Sequence, residues 1–300
     1  MADIGLLYFK AEAVSALALA KLANLMLGLI ERHDFPDGEF KLKLPAELSS
    51  SVVIFRGLDR PNEKLVELLF AAKTARQLGA KHLTLVAPYL AYMRQDIAFV
   101  SGEVVSQRIV GDLLASLFDA VVSVDPHLHR VASLSEAIPV KDAINLSAAP
   151  ILGDLALKKR EQPFLLGPDE ESAQWVAQAA RAHHLDFAVA TKTRLGDCSV
   201  DIQMPSINVA GRAVVLLDDI ASSGHTLARA AELLLAAGAK TVDVAVTHAL
   251  FDAQAEAVMM KAGISQIWST DCVLHASNAV TVMPVIAQEL LSLCERFNND

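Results

Sequence analysis

The sequence predicts an α/β protein built as two doubly wound, mostly parallel-sheet domains. Short β-branched apolar runs alternate with longer helical stretches along the chain. The runs are almost uninterrupted in apolar character, as in strands covered on both faces. Polar and charged residues follow the runs closely, at the strand ends where open α/β sheets bind ligands.

The predicted strands are 52–55, 82–87, 120–124, 164–166, 187–190, 213–217 and 242–246, and the predicted helices are 63–78, 103–117, 172–184, 227–237 and 253–261. Gly79 and Gly238 stand just past two of these helices, where a left-handed cap ends a helix. The apolar stretch 13–30 is interrupted by Lys21 and Asn24 and preceded by Asp3 and Glu12. It reads as a largely buried helix rather than a membrane span or signal segment. The character of the chain changes over 145–150, which sets domains at 1–147 and 148–283.

At 300 residues, 53% of them hydrophobic and 20% charged, the chain can bury large cores. A net charge of -9 argues against a broad basic surface for nucleic acid. Phosphate ligands therefore need cations gathered locally. Cys198, Cys272 and Cys294 are far apart and form no CxxC pair, so neither a zinc signature nor a disulfide framework is read, and a cytoplasmic location is expected.

The most informative segment runs from Val214 to Thr226. A buried strand delivers Asp218 and Asp219, then Ser222, Ser223, Gly224, His225 and Thr226 open into a helix. Hydroxyls, backbone N–H groups and a helix N-terminus suit a phosphate. The two carboxylates repel phosphate and suit ribose hydroxyls, with or without a metal between. This segment resembles the signature shared by phosphoribosyltransferases and ribose-phosphate pyrophosphokinases.

Further segments select the pyrophosphokinase family. Phe35, Asp37 and Glu39, in Asp34-Phe35-Pro36-Asp37-Gly38-Glu39, resemble its ATP-binding segment, and Arg94-Gln95-Asp96 resembles a second one. His127 stands where the family has a metal-binding histidine, and Asp169 where it has a metal-binding aspartate. Lys192 and Arg194 match its catalytic Lys-x-Arg, and 247–251 resembles a strand end near its C-terminus. The resemblance implies domains of phosphoribosyltransferase type, one for ATP and one for ribose 5-phosphate, and a homo-oligomer whose neighbouring subunit contributes to the ATP site. It also implies a C-terminal helix, 284–300, packed on the first domain. The reaction implied is Mg²⁺-dependent transfer of pyrophosphate from ATP to ribose 5-phosphate, giving phosphoribosyl pyrophosphate and AMP.

The residues make chemical sense in these roles. Phe35 and Arg94 can hold adenine by stacking and cation–π contact, and Asp37 and Glu39 can accept hydrogen bonds from it or its ribose. Lys192 and Arg194 can neutralise a moving pyrophosphoryl group. His129 is assigned no role. The stretch 97–102, where the family carries Lys and Arg, contains no cation. His225 replaces a glycine of the signature, and 170–173 lacks the usual glycine pair and arginine. Two other readings compete: a phosphoribosyltransferase, and a non-catalytic regulator that binds phosphoribosyl pyrophosphate.

Overall fold

The computed structural model describes residues 4–194 and 200–297. The chain divides into two compact units, Met1–Leu146 with Met283–Asp300, and Ser147–Val282. The first contains β1 (Ile4–Phe9), α1 (Ala13–Ala23), β2 (Met26–Asp34), β3 (Phe40–Lys43), β4 (Ser51–Phe55), α2 (Pro61–Gln77), β5 (His82–Ala87), α3 (Ser106–Leu117), β6 (Ala120–Val124), α4 (Leu134–Ala137) and β7 (Asp142–Leu146). Its seven strands lie in the order β3-β2-β1-β4-β5-β6-β7. Only the β2–β3 hairpin at one edge is antiparallel; the other pairs are parallel.

The second unit contains α5 (Ala149–Lys159), β8 (Phe164–Gly167), α6 (Ala173–His183), β9 (Phe187–Val189), β10 (Thr191–Arg194), β11 (Val200–Gln203), β12 (Ala213–Ala221), α7 (His225–Ala236), β13 (Thr241–Ala249), α8 (Ala253–Lys261), β14 (Ile264–Thr270) and β15 (Asn278–Val280). Six of its strands form a parallel sheet, β15-β14-β13-β12-β8-β9, and β10 pairs antiparallel with β11 as a separate ribbon. The last described element, α9 (Met283–Phe297), returns to the first unit and packs on α1. The architecture is the α/β one that the strand–helix rhythm predicts.

Alternation along β12 shows why its apolar run is continuous. Val214 and Leu216 join the core made with Leu227, Ala230 and Leu234 of α7. Val215 and Leu217 point the other way and join the core made with Leu152 of α5 and Trp175, Val176 and Ala179 of α6. A strand with helices on both faces has no polar side. Gly79 and Gly238 have φ of +100° and +88° and close α2 and α7 left-handed, as predicted.

The stretch 13–30 departs from the expected single buried helix. The helix stops at Ala23, Asn24 turns the chain at φ 52°, and β2 begins at Met26. Asparagine tolerates the left-handed region that a longer side chain avoids. Nor is this segment largely buried: Val14 is 82% exposed, and Leu17, Leu22 and Met26 are exposed as well.

A chain of ion pairs ties the first unit together. Arg56, buried just past β4, donates from Nη1 to Glu12 Oε1 at 2.5 Å and from Nη2 to Glu67 of α2. Arg32 of β2 donates to the other oxygen of Glu67, to Asp34 at 2.7 Å and to Glu63 at 3.1 Å. Glu67 is fully buried, so its charge depends on these two guanidiniums. Replacing Glu67 by Leu leaves two neighbouring cations without their shared carboxylate. We expect Glu67→Leu to lose about 3 kcal/mol of stability in urea unfolding; an unchanged midpoint would refute the structural weight given to this chain.

Candidate functional site

The carboxylates of the second unit are gathered by strand register. β8 lies beside β12 with Leu166 opposite Leu216. Asp169, three residues beyond Leu166, therefore comes level with Asp218 and Asp219, two and three residues beyond Leu216. Both aspartates lie within β12, which runs on to Ala221, rather than after the strand as its apolar run predicts. The Asp219 N–H donates to Asp218 Oδ1 at 3.0 Å. Burial pushes the Asp218 carboxyl well above its ordinary range, and the charges of Asp219 and Asp169 push it the same way. Three acids brought together like this attract a cation or hydroxyl donors.

The segment after β12 turns into α7. Ser222 is half-buried, Ser223 and His225 are exposed, and Thr226 is half-buried in the first helical turn. Gly224 precedes the helix at φ +74°, and no side chain caps the first turn. A Cβ on Gly224 would meet Met259 Cγ at 2.8 Å and the Ala255 carbonyl at 3.1 Å. Glycine thus serves both the bend and the close approach of α8. The first N–H groups of α7 and the loop hydroxyls are donors of the kind that can receive an anion.

Lys192 and Arg194 fall on β10, not in a loop, and their backbones pair with Ile202 and Val200. Their side chains lie outside the described residues.

In the first unit the candidate residues fall at two places. Phe35, Asp37 and Glu39 form the tip of the β2–β3 hairpin. Phe35 N–H donates to the Glu39 carbonyl at 2.8 Å, Asp37 Oδ1 accepts from Glu39 N–H at 3.1 Å, and Gly38 turns the chain at φ +91°. Phe35 is exposed, with Lys41 Nζ 6.0 Å from its ring centroid and the His33 ring edge-on at 5.0 Å. Pairing of β2 with β1 stops at Ile30, while residues 31–34 pair only with β3. The tip therefore projects roughly 13 Å past the end of that pairing.

Arg94, Gln95 and Asp96 follow β5. Arg94 is exposed, and Gln95 Nε2 donates to the Ile97 carbonyl at 3.0 Å. Asp96 is buried and its Oδ1 accepts from Arg130 Nη1 at 2.7 Å. Three strand spacings, roughly 14 Å, separate β2 from β5.

His127 follows β6 after a tight bend at Asp125, whose φ is +39°. The His127 and His129 rings stack at 6.4 Å with an interplanar angle of 13°. His127 belongs to the first unit and Asp169 to the second. Among the described residues no group of three or more His, Cys, Asp or Glu is placed to hold a metal ion.

Arg130 was not legible as a site residue in the sequence. The signal available was indirect: an acid, Asp96, stands next to a stretch without cations, and a buried carboxylate needs a partner from elsewhere.

Comparison with known proteins extends these observations over the whole chain. Residues 5–117 match the N-terminal domain of ribose phosphate pyrophosphokinase, and residues 134–271 match the phosphoribosyl transferase domain. A ribose-phosphate pyrophosphokinase of Methanopyrus kandleri is 34% identical over 279 residues, covering 92% of this chain and 94% of its own. Ribose-phosphate pyrophosphokinase 2 of Archaeoglobus fulgidus is also 34% identical, over 91% and 94% of the two chains. The crystal structure of phosphoribosylpyrophosphate synthetase from Mycobacterium smegmatis superposes with a TM-score of 0.83 at 23% identity, covering 98% of this chain and 99% of that one, which shows a shared fold.

The Asp218 carboxyl gives this cluster a pH signature. Because its folded-state value lies above the ordinary one, the folded chain holds a proton that the unfolded chain releases. Stability from this group is greatest below the ordinary carboxylate range and falls as pH rises through the raised folded value. Asp218→Asn should flatten that fall and leave the variant about 1 kcal/mol more stable at neutral pH, while impairing ligand binding. Parallel stability profiles for wild type and variant would refute the repulsion described here.

Proposed function

This chain belongs to the ribose-phosphate pyrophosphokinase family, and we propose from that premise that it joins ATP and ribose 5-phosphate into phosphoribosyl pyrophosphate and AMP. The observation that carries the reading is the acid pair of β12 followed by a hydroxyl-bearing turn into the N-terminus of α7. Asp218 and Asp219 accept hydrogen bonds from ribose hydroxyls, and 222–226 receive the 5-phosphate on backbone N–H groups and hydroxyls. The anomeric hydroxyl oxygen attacks the β-phosphorus of ATP. The bond from that phosphorus to the oxygen bridging the α-phosphate breaks, AMP departs and the hydroxyl proton is lost. Such transfer is achieved chiefly by positioning and charge stabilisation.

Lys192 and Arg194 stabilise the charge of the moving group in this proposal. Phe35, Asp37, Glu39, Arg94 and Gln95 bind the nucleotide. The projecting hairpin and its distance from Arg94 support assembly of the nucleotide site from two subunits of a homo-oligomer. Exposed Val14, Leu17, Met26, Leu27 and Leu29 on α1 and β2 offer an apolar surface for such an assembly. Mg²⁺ is bound with one or two carboxylates plus substrate phosphates rather than by a complete protein cage. The acidic group at Asp169 suits that chemistry, and His127 is the histidine that the family resemblance assigns to the metal. When bound, Mg²⁺ would draw charge from the ATP phosphates.

A cytoplasmic location belongs to the same proposal, supported by three widely separated cysteines. No helix among the described residues is long and apolar enough to cross a membrane. The phosphoribosyltransferase and regulator readings are not favoured, since relatives over most of the chain carry the pyrophosphokinase name.

AMP release from ATP should require ribose 5-phosphate and Mg²⁺ together, and excess EDTA should abolish it. A coupled AMP assay with each component omitted in turn tests this; AMP formation that ignores ribose 5-phosphate would overturn the reading. In the same assay Lys192→Ala should lower kcat by about 100- to 1,000-fold with little change in either KM. Full turnover in that variant would remove Lys192 from the mechanism.

A further inference from the structure

We propose that Arg130, held by Asp96, is the cation that receives the polyphosphate of the nucleotide at the carboxyl edge of the first sheet. This rests on the nucleotide site proposed above. The segment 97–102, which follows Arg94-Gln95-Asp96, carries no cation of its own. A nucleoside triphosphate is a dense polyanion and meets an acidic protein here. Asp96 would add to the repulsion if its charge stood alone.

The geometry points to Arg130 as the compensation. It comes from the segment after β6, three residues past His127, and reaches the segment after β5. Its Nη1 donates to Asp96 Oδ1 at 2.7 Å, and its guanidinium lies 5.7 Å from the centroid of the Phe99 ring. The two partners differ sharply in exposure: the Asp96 side chain is 1% exposed and that of Arg130 is 41% exposed. The carboxylate is thus buried behind the guanidinium, and the guanidinium faces outward.

The bond to Asp96 uses one of five N–H donors, so Arg130 keeps donors for a phosphate. Asp96 fixes the planar head from behind and Phe99 supports its face, which reduces the side-chain entropy lost on binding. Asp96 is then a positioning residue that acts through Arg130, not a nucleotide ligand. A guanidinium suits this task, since its fork matches two phosphate oxygens at once.

Calorimetric titration of the full chain with ATP, inorganic tripolyphosphate and adenosine separates this role from a structural one. Arg130→Ala should weaken ATP and tripolyphosphate about 10- to 100-fold and leave adenosine unchanged. Arg130→Lys should recover part of the loss. Asp96→Asn should weaken ATP in the wild-type background but add nothing to Arg130→Ala, because the two residues act as one unit. Circular dichroism and the unfolding midpoint of each variant check that it folds.

ATP affinity unchanged in Arg130→Ala, adenosine lost together with ATP, or additive losses in the double variant would each overturn the proposal, as would wild-type protein that binds no ATP. If the wild type releases no AMP yet binds ATP with this dependence on Arg130, the proposed reaction fails and the assignment of Arg130 stands.

Discussion

Parallel strand pairing is the constraint on which the rest of the molecule depends. Once strands run side by side in one direction, their carboxyl ends share an edge. Residues far apart in the chain then become neighbours without any loop reaching for them. Asp169 meets Asp218 because β8 and β12 are in register. Arg130 meets Asp96 because β5 and β6 are adjacent. The one antiparallel pairing in the first sheet does the opposite: β2 reverses into β3, and the hairpin carries Phe35 away from that sheet.

The two units use opposite electrostatics at these edges. In the second, burial and mutual repulsion leave Asp218 with a raised affinity for a proton, and so for any positive or hydrogen-donating ligand. In the first, two buried acids are matched by arginines: Glu67 by Arg56 and Arg32, Asp96 by Arg130. An acidic protein can bind polyanions in this way. Its carboxylates are covered or grouped, and its guanidiniums are placed where an acid holds them outward.

Much of the sheet architecture is legible in the sequence because two-sided burial leaves an unbroken apolar run, as in 120–124 and 242–246. The failures have physical causes. β1 and β2 hide because α1 and β2 form one apolar stretch, divided only by the left-handed turn at Asn24. β12 reads four residues short because its last turns of chain carry aspartates, which resemble a loop. In the ribbon, β10 is polar throughout, and β11 alternates apolar and polar over only four residues, too short a run to stand out. Within the site, the acid pair and the hydroxyl loop are visible because they are contiguous. Arg130 is not, since its partner lies 34 residues away and only strand order joins them. The pairing of Arg56 with Glu67 is hidden for a similar reason, because it depends on how α2 lies over β4.

That last pairing affects how the first unit comes apart. Glu12 follows β1, Arg32 belongs to β2, Arg56 follows β4 and Glu67 lies on α2, so four elements share one alternating row of charges. Detaching any one of them leaves a neighbour's charge buried without its counter-ion. Fraying is thereby discouraged at each end of the row, and partial opening carries almost the full electrostatic penalty. The row therefore couples the four elements into one cooperative block, whose amide hydrogens should exchange together.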